Sequence, residues 1–492
     1  MTDESPKEEI LINVTPSEVR AALLENGVLQ EVYVDRTASH GLISNVYKGR
    51  VSRVLPGMQA AFVDIGLERT AFLHVSDISG KNGAGNSDDF PEIRELVRGG
   101  DDLLVQGVMD PLGDRGARLA TVITLPSRHL VLLPRSDTVG ISARIEDEEE
   151  RERLKTMVEG LLEKRELDCG IIVRTVAEGA GRGALKKDLK YLLKLWDVVQ
   201  QQCSESGKKK LIHEDLSLPL RVLRDLVTSD VERILVDSKE EFDAMREFAG
   251  TFLPDVEPML EHYTRRRPIF DLHGIEDEIS KALDRKIPLK SGGYAIFDQT
   301  EAMTTVDVNT GGYVGHRNLE ETIYRTNLEA AVAIARQLRL RNLGGIIIVD
   351  FIDMEEEDHR ENLFKLFEQS MARDHARYQI TPLSPLGLVE MTRKRTRESL
   401  QHILCEDCPT CSGRSYVMTA ESVCFEIFRE IIRQSRQFEF DEALVLAHQD
   451  VIEMLLDEQA PALAELEEQT GKTIRMQPEA LYLPDLFDVV LM

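Results

Sequence analysis

The chain has 492 residues, 42% of them hydrophobic and 30% charged, with a formal net charge of −27 at pH 7. That length calls for several domains and more than one core, and no apolar run approaches the roughly 18 residues a membrane span requires. The charge excludes a uniformly basic nucleic-acid surface, yet residues 421–492 hold 16 acidic and 5 basic side chains and so carry −11 of the total. Elsewhere basic groups still cluster, at Lys48, Arg50, Arg53 and Arg69 and at Arg393-Lys394-Arg395 with Arg397. Phosphate binding depends on such groove-sized patches more than on the sum.

The N-terminus, Met1-Thr-Asp-Glu-Ser-Pro, lacks the basic-then-apolar order of a signal peptide, so a cytoplasmic, reducing compartment is expected. Ile10–Val14 and Val28–Val34 alternate as short strands, and Ser17–Asn26 between them is expected to be a short helix or a hairpin loop. Too small for a core, they should complete a sheet built by later residues. Asn45–Ile78 strings short strands between glycine corners, which suggests a small barrel. Its pattern resembles the OB-fold RNA-binding domain repeated in the largest small-subunit ribosomal protein. Tyr47, Phe62, Phe72 and His74 would then offer bases a stacking surface, although phenylalanine also serves such a barrel as core. Gly83–Asp89 reads as a flexible insertion, and the barrel ends near Leu125.

Leu130–Pro134 and Gly140–Ile145 open another unit, followed by an acidic helix at Glu146–Glu163. Cys169–Thr175 reads as a buried strand ending in Arg174 and Thr175, a cation and a hydroxyl suited to a phosphate grip. Helix Leu185–Gln202 carries Trp196, the only tryptophan, expected in the core. From Leu220 to Ile269, helices alternate with the strand Arg233–Asp237. That pattern suits pairing with the N-terminal strands, which would make the barrel an insertion.

The most informative stretch is Met303–Met354. Val306 and Val308 alternate with Thr305, Asp307 and Asn309, so Asp307 and Asn309 share one strand face. From Asn318, expected as a helix cap, Leu319, Ile323, Asn327, Ala330, Ala331, Ile334 and Leu338 recur at helical spacing. Gly344 and Gly345 close that helix, and Ile346–Val349 reads as a strand buried on both faces and ending at Asp350. Two strands joined by a crossover helix are normally parallel neighbours, which would bring Asp307 and Asp350 within reach of one ion. Two carboxylates and an amide suit a hard cation, magnesium before zinc. Such an ion can polarise a phosphoryl oxygen and activate water. A lone aspartate at a strand end is ordinarily just solvated; one that ends an uninterrupted apolar strand is harder to dismiss.

A helix is expected at Arg360–Arg377, then a loop at Thr381–Pro385. Leu388–Met391 runs into the basic stretch Thr392–Arg397, expected as a solvated helix face, with an approach to RNA phosphates as the alternative. Cys405, Cys408 and Cys411 cluster while Cys169, Cys203 and Cys424 are scattered. Cys-x-x-Cys gives two thiolates a bite on zinc. One chain might close the site with Cys405 or His402, the run also suits iron–sulfur ligation, or two chains each contribute Cys408 and Cys411. Metal is favoured over redox because no thioredoxin-like βαβ frame is evident around the cluster. The tail is expected to be helical and acidic over Ser422–Thr470, an association domain.

Together these residues resemble the bacterial ribonuclease E/G endoribonucleases, the compact ribonuclease G branch best. The matching pieces are Asn45–Ile78, Gly170-Ile-Ile-Val-Arg174-Thr175, Pro288–Ile296, Val306-Asp-Val-Asn309, Thr326–Ala331, Ala335–Gly345, Val349-Asp-Phe-Ile-Asp-Met354 and Cys408-Pro-Thr-Cys411. The resemblance implies a split ribonuclease H-like domain (residues 1–38 and 220–282) and an OB-fold RNA-binding barrel (39–125). It further implies a 5′-sensor (126–219), a DNase I-like catalytic domain (283–404), a zinc link (405–415) and a small helical domain (416–492). It implies that Asp307 and Asp350 hold catalytic Mg2+ and that Asn309 positions the scissile phosphate, leaving 5′-phosphate and 3′-hydroxyl ends. Arg174, Thr175 and Arg377 would grip a 5′-monophosphate, and Phe62, Phe72 and Arg115 would contact single-stranded RNA. Cys408 and Cys411 would form half of a Zn2+ site shared by two chains of a homodimer, with higher oligomers open. The implied substrates are rRNA precursors and mRNA, with no membrane partner. Departures from the family pattern are Met109 and Leu112 at usually basic positions, Ser127 for a usual glycine, Ser415 for another, and the extra thiol Cys405. The competing classes are a non-catalytic dimeric RNA-binding scaffold and a magnesium phosphoesterase acting on small molecules; the latter has no use for an aromatic barrel.

Overall fold

The computed structural model describes residues 7–37, 41–78, 91–111, 116–163, 169–205, 210–300, 302–312, 319–384, 386–395 and 397–492. The expected insertion at Gly83–Asp89, the Asn318 cap and Arg115 lie outside them. The protein is mixed α/β and divides into two compact units, residues 1–403 and 404–492.

β1 (Glu8–Val14), β2 (Glu18–Glu25) and β3 (Val28–Arg36) form an antiparallel ladder. Glu18–Glu25 is therefore a strand, not the helix or loop expected there. Its alanines and leucines favour helix locally, but neighbours on both edges bury Ala21–Glu25, and pairing overrides propensity. Asn26 and Gly27, at φ 50° and 76°, make the two-residue turn that an Asn-Gly pair favours.

β4 (Val46–Leu55), β5 (Ala60–Asp64), β6 (Ala71–His74), a short helix α1 (Ile93–Leu96), β7 (Asp102–Met109) and β8 (Arg118–Ala120) follow. The five strands close into a barrel in the order β4-β5-β6-β8-β7, with β7 returning to β4. Val51, Ala61, Val63, Leu73, Val105 and Leu119 fill it.

β9 (Leu125–Pro126), β10 (Leu130–Leu133), β11 (Val139–Ile141) and β12 (Gly170–Val173) make a four-stranded sheet, with α2 (Glu148–Leu162) and α3 (Arg182–Glu205) packed on it. Trp196 lies half-buried against that core. β13 (Lys210–His213) joins the barrel beside β4.

After α4 (Leu218–Asp225) the chain returns to the first sheet. β14 (Val231–Val236) pairs parallel with β1, and after α5 (Lys239–Phe252) β15 (Leu260–His262) extends the sheet to the order β15-β14-β1-β2-β3. Everything from β4 to β13 is thus inserted within one sheet.

Beyond α6 (Ile269–Leu272) and α7 (Ile275–Leu283) lies a six-stranded sheet. It comprises β16 (Lys286–Pro288), β17 (Tyr294–Gln299), β18 (Met303–Asn309), β19 (Gly345–Asp350), β20 (Tyr378–Ile380) and β21 (Leu388–Arg393), in the order β16-β17-β18-β19-β21-β20. α8 (Leu319–Leu340) crosses from β18 to its parallel neighbour β19. α8 and α9 (Glu357–Met371) bury Ile334, Leu338 and Phe367 against Ile347 and Val349. β19 is not buried on both faces as expected: the helices share one face, and Ile346 on the other is 47% exposed.

Two further expectations are corrected. The second helix stops at Met371 rather than Arg377, where the chain turns so that buried Asp374 meets Arg393. The basic run is a strand end rather than a solvated helix face. Arg393 is 5% exposed and donates to Asp374 and the Leu343 carbonyl, Arg395 donates to Gly344, and Arg397 lies 3.6 Å over the Tyr33 ring and donates to Val32. α10 (Leu400–Leu404) closes this part of the chain.

Residues 404–492 contain α11 (Ala420–Gln437), β22 (Glu442–Ala447), α12 (Gln449–Leu456), α13 (Ala460–Thr470), β23 (Thr473–Pro478) and β24 (Phe487–Leu491). β22 and β23 are parallel and joined by α12 and α13, and β24 is antiparallel to β22. The tail is therefore α/β rather than helical, and a βαβ frame does follow the cysteines. Ala443, Val445 and Ala447 are buried in alternation, and Val445 and Ala447 share a core with Ile427, Ile431 and Leu455, so period two governs that segment.

Candidate active site

Across the parallel ladder Asp307 is the register partner of Asp350. Thr304, Val306 and Val308 point into the core, which leaves Asp307 exposed and Asn309 half-buried on the open face. The Asn309 amide donates to Asp307 Oδ2 at 2.8 Å. Gly293, in the turn before β17, packs so tightly that a Cβ there would sit 2.6 Å from the Asn309 carbonyl oxygen. Partial desolvation, then the negative charges of Asp307 and Asp353, raise the Asp350 carboxyl above its ordinary value.

The turn after Asp350 is pinned at three points. Phe351 enters the core edge-to-face with Phe367, 6.0 Å between ring centres, and Met354 is buried. Between them Asn327 takes both backbone groups of Ile352: its amide donates to the carbonyl at 2.8 Å and its oxygen accepts the N–H at 3.1 Å.

Two mutually repelling carboxylates with an adjacent amide present oxygen donors and open space, the chemistry of a hard divalent cation. Among the described residues no cluster of three or more His, Cys, Asp or Glu forms a closed cage. An ion held by Asp307 and Asp350 would therefore keep most of its shell for water and substrate oxygens, as magnesium prefers.

A second group lies at the end of β12. The Arg174 N–H bonds the His129 carbonyl, while its guanidinium donates to the Ser127 carbonyl and ion-pairs with Asp225, each at 2.7 Å. Thr175 Oγ1 and Ser142 Oγ are 3.0 Å apart. Asp188 accepts from the Ser127 hydroxyl and the His129 N–H, fixing the turn from which these carbonyls point. Burial would raise the Asp225 carboxyl, but the guanidiniums of Arg224 and Arg174 hold it below its ordinary value. Arg144 donates to the carbonyls of Asp374 and His375 and so ties the segment before Arg377 to the loop after β11. Arg377 itself is exposed, and no hydrogen bond or ion pair joins it to Arg174 or Thr175.

On the barrel, Phe62 and Phe72 are register partners with ring centres 6.1 Å apart, and Phe72 stacks on His74 at 6.4 Å. All three are half-buried on the outward alternation. Tyr47 is not part of this surface: it is 6% exposed and belongs to the barrel core.

Cys408 is exposed and Cys411 half-buried. Backbone N–H groups of Cys411 and Thr410 directed at the Cys408 sulfur lower its pKa and favour the thiolate. Cys424, by contrast, is buried, and its thiol is pushed up to about 11.

A cavity of about 820 Å³ lies between the discontinuous sheet, the barrel and the loop after α9, with Asp225 on its wall. Its wall also includes Arg36, Arg221 and Arg393, each paired with an acid, so it is a seam of interlocked ions.

Sequence reasoning missed Asp225, Arg144 and the role of Asn327. Only Asn327 carried a signal, as a polar residue inside the apolar stripe of α8.

A model described as the Ribonuclease E/G family matches residues 124–396, and one described as the RNase E/G thioredoxin-like domain matches residues 407–489. Ribonuclease G of Escherichia coli K12 is 52% identical over 489 residues, 98% of this chain and 99% of that protein. Ribonuclease G of Haemophilus influenzae is 49% identical over 490 residues, with the same coverage. Ribonuclease E of Escherichia coli K12 is 34% identical over 463 residues, 93% of this chain but 43% of that protein.

Proposed function

This chain belongs to the ribonuclease E/G family, and on that footing we propose that it is a magnesium-dependent endoribonuclease hydrolysing single-stranded RNA to 5′-phosphate and 3′-hydroxyl ends. It is an endoribonuclease, since relatives of that activity match it at 52% and 49% identity along nearly its whole length. That sets aside the non-catalytic scaffold.

The observation that carries the finer reading is the facing pair Asp307 and Asp350. These two carboxylates would hold Mg2+, which when bound polarises a phosphoryl oxygen and makes water a better nucleophile. Asn309 steadies Asp307 with one amide N–H and keeps the other for a non-bridging oxygen of the scissile phosphate. Water adds at phosphorus, the bond to the 3′ oxygen breaks, and that oxygen leaves protonated as the 3′-hydroxyl.

Arg174 and Thr175, with Arg377 beyond the Arg144 tether, would take a 5′-monophosphate. Phe62 and Phe72 would stack unpaired bases, and Arg115 would meet the RNA backbone. The discontinuous sheet corresponds in this reading to a ribonuclease H-like domain, the barrel to an OB-fold, the β9–β12 sheet with α2 and α3 to a 5′-sensor, and the six-stranded sheet to a DNase I-like domain. Cys408 and Cys411 supply two of four thiolates on a Zn2+ shared between the chains of a homodimer. The substrates would be rRNA precursors and mRNA in the cytoplasm; no described helix is long and apolar enough to cross a membrane.

The test is cleavage of a short A/U-rich 5′-monophosphorylated RNA with Mg2+, wild type against Asp307→Asn. Internal cuts bearing 5′-phosphates that fall to below about 1% of the wild-type rate in the variant are expected, the scale of losing one electrostatic group at a reacting centre. Cutting that survives in Asp307→Asn removes this carboxylate from the mechanism.

A further inference from the structure

We infer that Asn327 is a positioning residue for the metal-holding carboxylates. Its amide sets the turn that begins at Asp350 and thereby the affinity of the site for its divalent cation. The inference rests on the reading that Asp307 and Asp350 hold Mg2+.

Asn327 occupies a place where the helical stripe calls for an apolar side chain. Ile323, Ala330, Ala331 and Ile334 share its face of α8, and Asn327 itself is fully buried. A buried primary amide is stable only when its polar atoms are matched. Here the match is two-point and falls on one residue, Ile352 N–H at 3.1 Å and Ile352 C=O at 2.8 Å. Ile352 follows the last strand residue by two and precedes Asp353 by one. Its backbone groups have left the β19 ladder, whose pairing with β18 ends at Asp350. Asn327 therefore continues, with a side chain, the hydrogen bonding that the ladder has stopped supplying.

The clamp has a direction. Phe351 and Met354 are drawn into the core on either side of it, so Asp350 and Asp353 are left outward with the backbone between them fixed. Left unclamped, two such carboxylates would swing apart. Groups that orient a metal's ligands without touching it typically change affinity by roughly 10- to 100-fold. Asn327 touches no reacting atom in this scheme; it acts through Asp350.

The test uses the full chain in three variants. Asn327→Leu keeps the volume and removes both hydrogen bonds. Asn327→Asp keeps the acceptor for Ile352 N–H, loses the donor and covers the case in which leucine does not fold. Thr326→Ala is the control: equally buried at the preceding position of α8, the Thr326 hydroxyl donates to the Thr322 carbonyl of its own helix. Two readouts are followed across Mg2+ concentration, the cleavage rate and the rise in Tm of the RNA-free protein. For both Asn327 variants the half-saturating Mg2+ is expected to rise about tenfold or more in each readout, with the rate largely recovered at high Mg2+. Thr326→Ala should lower Tm without moving the Mg2+ midpoint. An unmoved midpoint in the Asn327 variants, or an equal movement in Thr326→Ala, overturns the inference while leaving the metal reading intact. A wild-type protein indifferent to Mg2+, or a Mg2+ response that survives Asp350→Asn, overturns the metal reading and the inference with it.

Discussion

Arg174 is ion-paired with Asp225 at 2.7 Å, so the cation assigned to the RNA 5′ end already has a carboxylate on it. A terminal phosphate bound there would have to share or displace that partner. Arg174→Ala should lower cutting of 5′-monophosphorylated RNA about tenfold or more, and cutting of 5′-hydroxyl RNA far less, measured as kcat/KM on matched substrates. Asp225→Asn should instead widen the preference for the monophosphate. Arg224 keeps its second acid, Asp215, in that variant, so the surrounding structure holds. Equal losses on both substrates in Arg174→Ala would remove the sensor assignment.

The facing carboxylates cost stability. Asp350 has a raised pKa in the folded chain, so its contribution favours folding only while it is protonated and is lost as pH rises through the folded value. At neutral pH the metal-free protein therefore carries repulsion. Asp350→Asn should raise Tm in chelator at pH 7, and the gain should vanish below about pH 4, where both states of the wild type are protonated. The same variant should abolish cleavage. A lower Tm at pH 7 would mean that Asp350 is a structural anchor.

Within the run Arg393-Lys394-Arg395 the neighbours should part company. Arg393 and Asp374 are 4% and 1% exposed at their side chains, and removing one partner of a buried pair typically destabilises by about 3–5 kcal/mol. Arg393→Met should show that loss in urea unfolding of the full chain. Lys394→Ala, at an exposed position, should stay within about 0.5 kcal/mol. Weaker RNA binding by Lys394→Ala at constant stability would restore the phosphate-approach alternative.

Removing zinc should split the dimer if Cys408 and Cys411 are half of a shared site. Light scattering of the chelated protein, and of Cys408→Ser, is expected to give the mass of one chain, about 55.6 kDa. An unchanged larger mass would mean that the chains associate through other surfaces.

Much of the candidate site's geometry was legible because its signals are local. The alternation around Asp307, the helical stripe of α8 and the apolar run before Asp350 each declare an element. A crossover helix then makes the two strands parallel neighbours, which the register Asp307 to Asp350 displays. What stayed hidden is decided by distant residues. Nothing near Arg393 announces that Asp374 will neutralise it, and nothing near Arg174 announces Asp225. β2 was misread because its residues prefer helix and only flanking strands overrule them, although Asn26-Gly27 did mark the hairpin. The α/β character of the tail stayed hidden because the alternation of Glu442–Ala447 is only six residues long and lies between helices.

The discontinuous first sheet has a consequence for synthesis. Val14 and its hydrogen-bond partner Asp237 are 223 positions apart. At about 5–20 residues per second, on the order of 10–45 s separate the emergence of β1 from that of its parallel neighbour. Throughout that interval the first hairpins leave the ribosome with an open edge, the surface that recruits stray strands. The barrel, whose strands need only one another, can close meanwhile. The protein's slowest exposed hazard is thus set by where its first strand finds a neighbour, and a stalled ribosome before β14 would strand an aggregation-prone fragment.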